Sequence, residues 1–126
     1  MLHPVSAQNV PDRGAILTKA VSRAGDRLGL SGRVLADVLG VSEAQISRYR
    51  RGEAILAEGT KPFELAVLMV RAFRSLDAIT GGDETVARAW LTAENGALGA
   101  RPVDRITSIQ GLADVVAYLD ARRAPL

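Results

Sequence analysis

Cysteine is absent from this 126-residue sequence, and aromatic residues make up only 4% of it. The absence of cysteine excludes a disulfide framework and a thiolate metal site, and it fits a reducing compartment. The longest apolar run, from Leu65 to Val70, is far too short to span a bilayer. The first residues also lack the basic and apolar regions of a secretory signal. We therefore expect a cytoplasmic protein with no membrane contact, no metal and no cofactor.

A large excess of charge is missing as well, because the formal net charge is only +2. The first 62 residues carry a net charge of +3 and the remaining residues carry −1. This distribution favours DNA as the partner of the first half and a protein as the partner of the second. Ordinary solvated surface charge explains so small a difference equally well.

Strand-like runs are scarce, whereas alanine, leucine, valine and arginine recur throughout the chain. This composition predicts an all-α fold, and 48% hydrophobic residues suffice for the core of one domain or of a small domain with a compact extension. Sets of Ser/His/Asp or Cys/His are missing, and the glycines mostly mark helix ends instead of forming a phosphate-binding loop. We therefore expect no enzymatic activity.

Residues 31–53 have the pattern of a helix-turn-helix. Ala36 supplies a small residue where the two helices approach closely, and Gly40 supplies a turn residue that tolerates positive φ. Ile46 is spaced so that the second helix turns its apolar side back onto the first, and Ser42 with Gln45 forms a capping-box pattern. The pattern predicts DNA binding by the polar residues of this second helix, which are Ser42, Gln45, Ser47, Arg48, Arg50 and Arg51.

The side chains of the second helix differ in what they can recognise. Arg48 has the geometry to bind a guanine edge and Gln45 an adenine edge, while Ser47 suits a phosphate or a base edge. Arg50 and Arg51 lie near the helix end, where phosphate contact is the better expectation. A solvated helix face is the alternative for these arginines. We expect Tyr49 to pack inward.

The other segments follow from caps and helical spacing. Residues 1–11 are expected to form a mobile arm, and the helix-turn-helix region is expected to span 12–61. Asp12 can cap a first helix that ends near Leu28 and frays at Gly25 and Gly29. The apolar positions on one side of this helix are Ile16, Leu17, Ala20, Val21, Ala24 and Leu28.

Residues 62–126 are expected to form a second helical region that takes part in dimerisation. Its first helix, Phe63 to Ile79, follows Pro62 and is apolar on more than one face, so we expect burial on several sides and a share in a homodimer surface. A further helix capped by Asp83 has an inner stripe of Val86, Ala87, Trp90 and Leu91. After a loop at 95–104, a last helix opens at Ser108 with an inner side of Ile109, Leu112, Val115, Val116 and Leu119.

The second half also carries an ordered series of short motifs. They are Trp90-Leu91, Glu94-Asn95, Leu98-Gly99, Arg101-Pro102-Val103-Asp104, and Gly111-Leu112 with Val115. In this order and downstream of a helix-turn-helix, they resemble the Xre/MbcA/ParS-type antitoxins, and the resemblance covers residues 12–120. At position 100 this chain has Ala where the family often has a second Gly.

The resemblance implies an antitoxin of a type II toxin-antitoxin system that binds and inhibits a RES-domain toxin, a class that acts on NAD. It also implies repression of its own operon through the helix-turn-helix, which binds operator DNA. Because one short recognition helix gives little affinity, we expect a homodimer that binds paired half-sites. Inhibition would be steric, with the C-terminal region covering the NAD site of the toxin. On this basis residues 62–126 are the helical dimerisation and toxin-binding region. The expected toxin-binding residues are Leu98, Arg101, Pro102, Asp104, Arg122 and Arg123.

Pro102 gives a physical reason for that choice, since it fixes its own φ and favours an extended Arg101, so that 98–104 holds a defined path. Two other functions stay open. One is a plain transcriptional repressor whose C-terminal helices only dimerise or bind a small ligand. The other is a protein-interaction module whose helix-turn-helix no longer binds DNA.

Overall fold

A computed structural model describes residues 12–123 of the chain. Within that range the chain forms seven α-helices and no strand, which confirms the all-α prediction. The helices are α1 Arg13–Arg27, α2 Gly32–Leu39, α3 Glu43–Arg50, α4 Lys61–Ile79, α5 Glu84–Thr92, α6 Pro102–Arg105 and α7 Ile109–Arg123. The predicted arm at 1–11 and the last three residues lie outside the described range.

Side-chain oxygens cap most of the helix starts. In each case an oxygen accepts a hydrogen bond from a backbone N–H of the first turn, a group that has no partner within the helix. The predicted caps of Asp12, Ser42 and Asp83 are confirmed, with O···N distances of 3.0, 3.0 and 3.2 Å. Ser31, Thr60 and Ser108 cap α2, α4 and α7 in the same way.

Helix α4 lies at the centre of the fold. It packs against α7 along most of its length and against α1 and α2 on other sides. Its buried residues are Leu65, Ala66, Met69, Val70, Ala72, Ser75 and Leu76. One apolar cluster runs from Val21 in α1 to Leu119 in α7, so the core continues across the predicted boundary between residues 61 and 62. None of the described helices is long and apolar enough to cross a membrane.

The predicted inner side of α1 is confirmed at three fully buried positions, Val21, Ala24 and Leu28, but not at its start. Ile16 is 58% exposed, whereas Thr18 and Ser22 are buried. The Thr18 hydroxyl donates to the Gly14 carbonyl at 2.6 Å and accepts from the Leu56 N–H at 2.8 Å. Helix α1 therefore turns a polar residue inward because the segment after α3 needs a partner for its backbone.

The two glycines at the end of α1 also have a different role from the predicted fraying. Gly25 is buried, and a Cβ there would lie 3.0 Å from the Leu35 side chain, so its lack of a side chain lets α2 approach. Gly29 has φ +70°, which ends the helix in a left-handed turn. Two inner-face predictions are also wrong, because Val86 and Ile109 are half exposed or more.

Candidate functional site

The turn between α2 and α3 has the predicted helix-turn-helix geometry. Gly40 has φ +71° and its N–H donates to the Ala36 carbonyl at 2.8 Å, which closes α2 in a left-handed cap. Leu39 and Ile46 are buried between the helices together with Ala36. The crossing of α2 and α3 is therefore held by a small apolar core, and the angle at which α3 leaves the domain is fixed.

Helix α3 has one inward and one outward side. Ile46 and Tyr49 are buried, as the prediction that Tyr49 packs inward required. Ser47, Arg48 and Arg51 are exposed. Arg51 follows Ser47 by four positions and Arg48 by three, so the three side chains share the side of α3 opposite to the core. Three of the predicted DNA-binding side chains therefore face solvent together on a short helix.

Gln45 and Arg48 are joined by a hydrogen bond. Arg48 donates from Nε to Oε1 of Gln45 at 2.9 Å. The Ser42 half of the capping box is present, but the Gln45 side chain is directed to Arg48 instead of returning to the Ser42 N–H. The guanidinium keeps its two Nη groups, so it still presents a pair of donors, and its orientation is set by Gln45.

Arg50 points away from the outward side of α3. Its side chain is 31% exposed, and its guanidinium lies 3.6 Å from the Asp26 carboxylate and donates to the Leu30 carbonyl at 3.2 Å. These contacts tie α3 to the turn between α1 and α2. The structure thus separates Arg50, which holds the helix in place, from Arg51, which lies at the surface.

Arg51 forms a two-pronged ion pair with Glu53. Nε and Nη2 donate to the two carboxylate oxygens at 2.9 and 3.2 Å. The hydrogen bond from Arg51, followed by its charge, lowers the pKa of the Glu53 carboxyl below its usual value. The pair is exposed, so solvent screens it.

The loop after α5 is a compact turn. The Asn95 side chain accepts hydrogen bonds from the N–H groups of Ala97 and Leu98 at 3.0 and 3.2 Å, and its backbone N–H donates to the Ala100 carbonyl. Gly99 has φ +73°, a conformation that glycine adopts without strain. Leu98 is partly buried against the core, so the loop is anchored at its centre.

The segment from Leu98 to Asp104 ends in a short helix that the sequence analysis did not predict. Arg101 is extended, as predicted before a proline, but Pro102 is buried and starts the short helix α6. Proline suits this position because its missing N–H has no helical partner to lose there. Arg101 donates to both Asp104 oxygens at 2.8 and 3.0 Å, which lowers the pKa of the Asp104 carboxyl.

The remaining two predicted toxin-binding residues lie at the end of α7. The Arg122 guanidinium lies 3.6 Å from the centre of the Tyr118 ring, and that ring stacks on Trp90 at 6.0 Å. The stack thus runs from the half-buried Trp90 through Tyr118 to Arg122. Arg123 approaches the buried Ser75 hydroxyl at 3.5 Å. Among the described residues, no hydrogen bond or ion pair joins Arg122 or Arg123 to the 98–104 segment.

One contact between the two halves could not be predicted from any pattern in the sequence. Arg88 of α5 donates to the backbone carbonyls of Arg27 and Asp26 at 2.9 and 3.1 Å. It thereby satisfies acceptors at the end of α1, and Gly29 leaves the space that the guanidinium occupies. The partners are about 60 positions apart, too distant for any local pattern to reveal. Within residues 12–123 no cluster of metal-ligating side chains is present.

Two family models match the chain. The model for the antitoxin Xre-like helix-turn-helix domain matches residues 7–71, and the model for the antitoxin Xre/MbcA/ParS C-terminal toxin-binding domain matches residues 75–124. The first range ends and the second begins within α4. No curated protein matches the chain.

Proposed function

Because this chain belongs to the Xre/MbcA/ParS-type antitoxins of type II toxin-antitoxin systems, we propose that it inhibits a RES-domain toxin that consumes NAD and represses its own operon. The helix-turn-helix would bind the operator and the C-terminal helices would bind the toxin. Operator DNA lies in the cytoplasm, so we expect the protein to act there. Its role in this account is to bind partners, and it catalyses no reaction.

The observation that carries the DNA-binding half is the shared outward side of Ser47, Arg48 and Arg51 on α3. In our proposal α3 enters the major groove, Arg48 binds a guanine edge in the orientation that Gln45 sets, and Ser47 contacts a base edge or a phosphate. Arg51 binds a phosphate after leaving Glu53. Ser42 caps the start of α3, which points toward the DNA in this proposal. Arg50 acts by holding α3 against the α1–α2 turn.

Substitutions at Arg48 and Arg51 test this division of roles. Arg48→Gln should reduce the preference for operator over random DNA by roughly 1–3 kcal/mol, because a guanine contact is lost. Arg51→Gln should weaken binding to both DNAs equally and reduce the salt dependence by one phosphate contact. Fluorescence anisotropy with both duplexes at several salt concentrations measures this. If both substitutions weaken binding to the operator and to random DNA by the same factor, the division of roles is contradicted.

A homodimer is the form in which one short recognition helix gains enough affinity, because two half-sites are bound at once. We propose that the dimer forms along α1 and α4, where a groove of about 520 Å³ contains Ile16 and Val67, which are 58% and 46% exposed. Arginines rim this groove, among them Arg74 and Arg123. Association should therefore strengthen with salt, opposite to DNA binding.

Light scattering coupled to size exclusion tests the dimer. Val67→Lys should give a monomer, since an ammonium would be buried in the apolar contact beside the arginines of the groove. Val86→Lys is the matched control, because Val86 is 50% exposed on α5, away from the groove. A wild-type protein that is monomeric at high concentration and in the toxin complex contradicts the dimer.

For the toxin-binding half, we propose steric inhibition by two surfaces, the 98–104 segment with Leu98, Arg101, Pro102 and Asp104, and the end of α7 with Arg122 and Arg123. Support comes from the match of residues 75–124 to a toxin-binding domain and from the rigidity of the loop that Asn95 and Pro102 impose. Preordered surfaces lose little conformational entropy on binding.

A further inference from the structure

A second groove lies between α1 and the end of α3, with a volume of about 470 Å³. Lys19 and Arg23 line it from α1, and Arg50 and Arg51 line it from the other side. We infer that this groove takes the sugar–phosphate backbone of the DNA, with Lys19 and Arg23 as phosphate-binding residues. The inference rests on the proposed DNA binding and adds to it a contact surface outside the helix-turn-helix.

The cations of this groove differ in whether they are neutralised. Arg50 lies beside Asp26, which also lines the groove, and Arg51 is paired with Glu53. Lys19 and Arg23 are exposed, and among the residues that the structure describes neither makes an ion pair or a side-chain hydrogen bond. The groove therefore carries two positive charges that no carboxylate balances.

The spacing of Lys19 and Arg23 makes this arrangement unfavourable for the isolated fold. They are four positions apart on α1, so their side chains are neighbours on one helix side. Like charges at this spacing destabilise a helix. An anion in the groove removes that repulsion and gains two charge-assisted contacts.

The position of the groove beside α3 selects a DNA backbone as the anion. The major groove of DNA is about 12 Å wide, so the phosphates flank an inserted helix on both sides. Arg51 belongs both to the outward side of α3 and to the wall of this groove. A strand bound at Arg51 continues along the same basic surface toward Arg23 and Lys19.

The test compares two double variants of the full chain with wild type. Lys19→Gln/Arg23→Gln removes both charges, and Lys19→Arg/Arg23→Lys keeps them as the matched control. Anisotropy is measured with a duplex from upstream of the protein's own coding sequence and with a random duplex of equal length, from about 50 to 200 mM salt. Circular dichroism checks that each variant keeps its helices.

For the Gln variant we expect the slope of log K against log salt to fall by about 1.8, which is two phosphate contacts at about 0.9 each. Affinity should fall on the order of tenfold per contact near 0.1 M salt, equally for both duplexes, and the charge-keeping variant should match wild type. If wild type binds DNA and the Gln variant has an unchanged slope, the phosphate-binding role of the groove is overturned, whereas the proposed DNA binding is not. Wild type that binds neither duplex overturns the proposed DNA binding as well.

Discussion

At the scale of single residues, several side chains with predicted partners outside the protein are already paired within it. Arg51 is held by Glu53, Arg101 by Asp104, and Arg122 lies on Tyr118. The two ion pairs are exposed and contribute little to stability, whereas the Tyr118 ring is partly buried against the core. Each contact keeps an arginine in an ordered position. A partner that binds these arginines as we propose must replace an intramolecular contact, so its affinity depends on the residue that is displaced.

Glu53 gives a direct test of this competition. Glu53→Gln removes the carboxylate that holds Arg51 and should tighten binding to both operator and random DNA several-fold, because Arg51 no longer exchanges one anion for another. Glu84→Gln is the control. Glu84 lies on α5 with its carboxylate 4.0 Å from the Arg27 guanidinium, and its substitution should leave DNA affinity unchanged. Anisotropy titrations measure both. Weaker DNA binding by Glu53→Gln contradicts this role of Glu53.

At the scale of helices, α6 and α7 meet at a glycine. A Cβ on Gly111 would collide with the Arg105 carbonyl oxygen, so only glycine lets the first turn of α7 lie against the end of α6. The contact is tightened by Arg105, which pairs with Asp114 of α7. This junction sets how the 98–104 segment is placed relative to the helix that carries Arg122.

Gly111→Ala should therefore destabilise the protein, although alanine is the better helix former by about 1 kcal/mol elsewhere. We expect a loss of roughly 1–3 kcal/mol in the free energy of unfolding, as for other overpacked sites. Gly96→Ala is the control, because nothing lies within 4 Å of a Cβ there and the change should be within about 0.5 kcal/mol. Urea unfolding compares them, and a Gly111→Ala protein as stable as wild type excludes the steric reason.

The sequence predicts helices better than it predicts which side of a helix is buried. Asp12, Ser42, Gly40 and Pro102 act through local geometry, so caps, turns and the extended Arg101 are readable from neighbouring residues. Burial depends on distant segments. Thr18 is buried because residue 56 needs a hydrogen-bond partner, a need that the pattern of α1 does not contain.

The site divides in the same way. The outward side of α3 follows from helical spacing, and Ser47, Arg48 and Arg51 lie on it. The retention of Arg50 by Asp26 and Leu30 does not follow from spacing, because both partners come from another part of the chain. Lys19 and Arg23 are ordinary surface cations in sequence, and only the packing of α1 against the end of α3 places them beside Arg51.

At the scale of the whole molecule, one core joins the helix-turn-helix to the toxin-binding helices. Helix α4 packs against both halves, and the turn after α1 is contacted by Arg88 from α5 and by Arg50 from α3. The recognition helix and the toxin-binding half are therefore fixed to the same short turn. The two halves should unfold together.

Arg88→Gln tests that connection. Loss of two charge-assisted hydrogen bonds to the carbonyls of Arg27 and Asp26 should lower the free energy of unfolding by about 1 kcal/mol, less than for a buried contact because Arg88 is exposed. Amide exchange should speed up around residues 28–30. Lys19→Gln is the control, with an expected change within about 0.5 kcal/mol. Unchanged exchange at 28–30 in the Arg88 variant contradicts the connection.

The central proposal is that this chain binds and inhibits a toxin that consumes NAD. The most direct measurement is to capture the tagged full-length protein from its native host, identify any stoichiometric partner by mass spectrometry, and follow NAD consumption by that complex before and after dissociation. We predict a RES-domain partner that consumes NAD only after release. Recovery of the chain alone, with operator binding intact, would contradict the claim and identify a plain repressor.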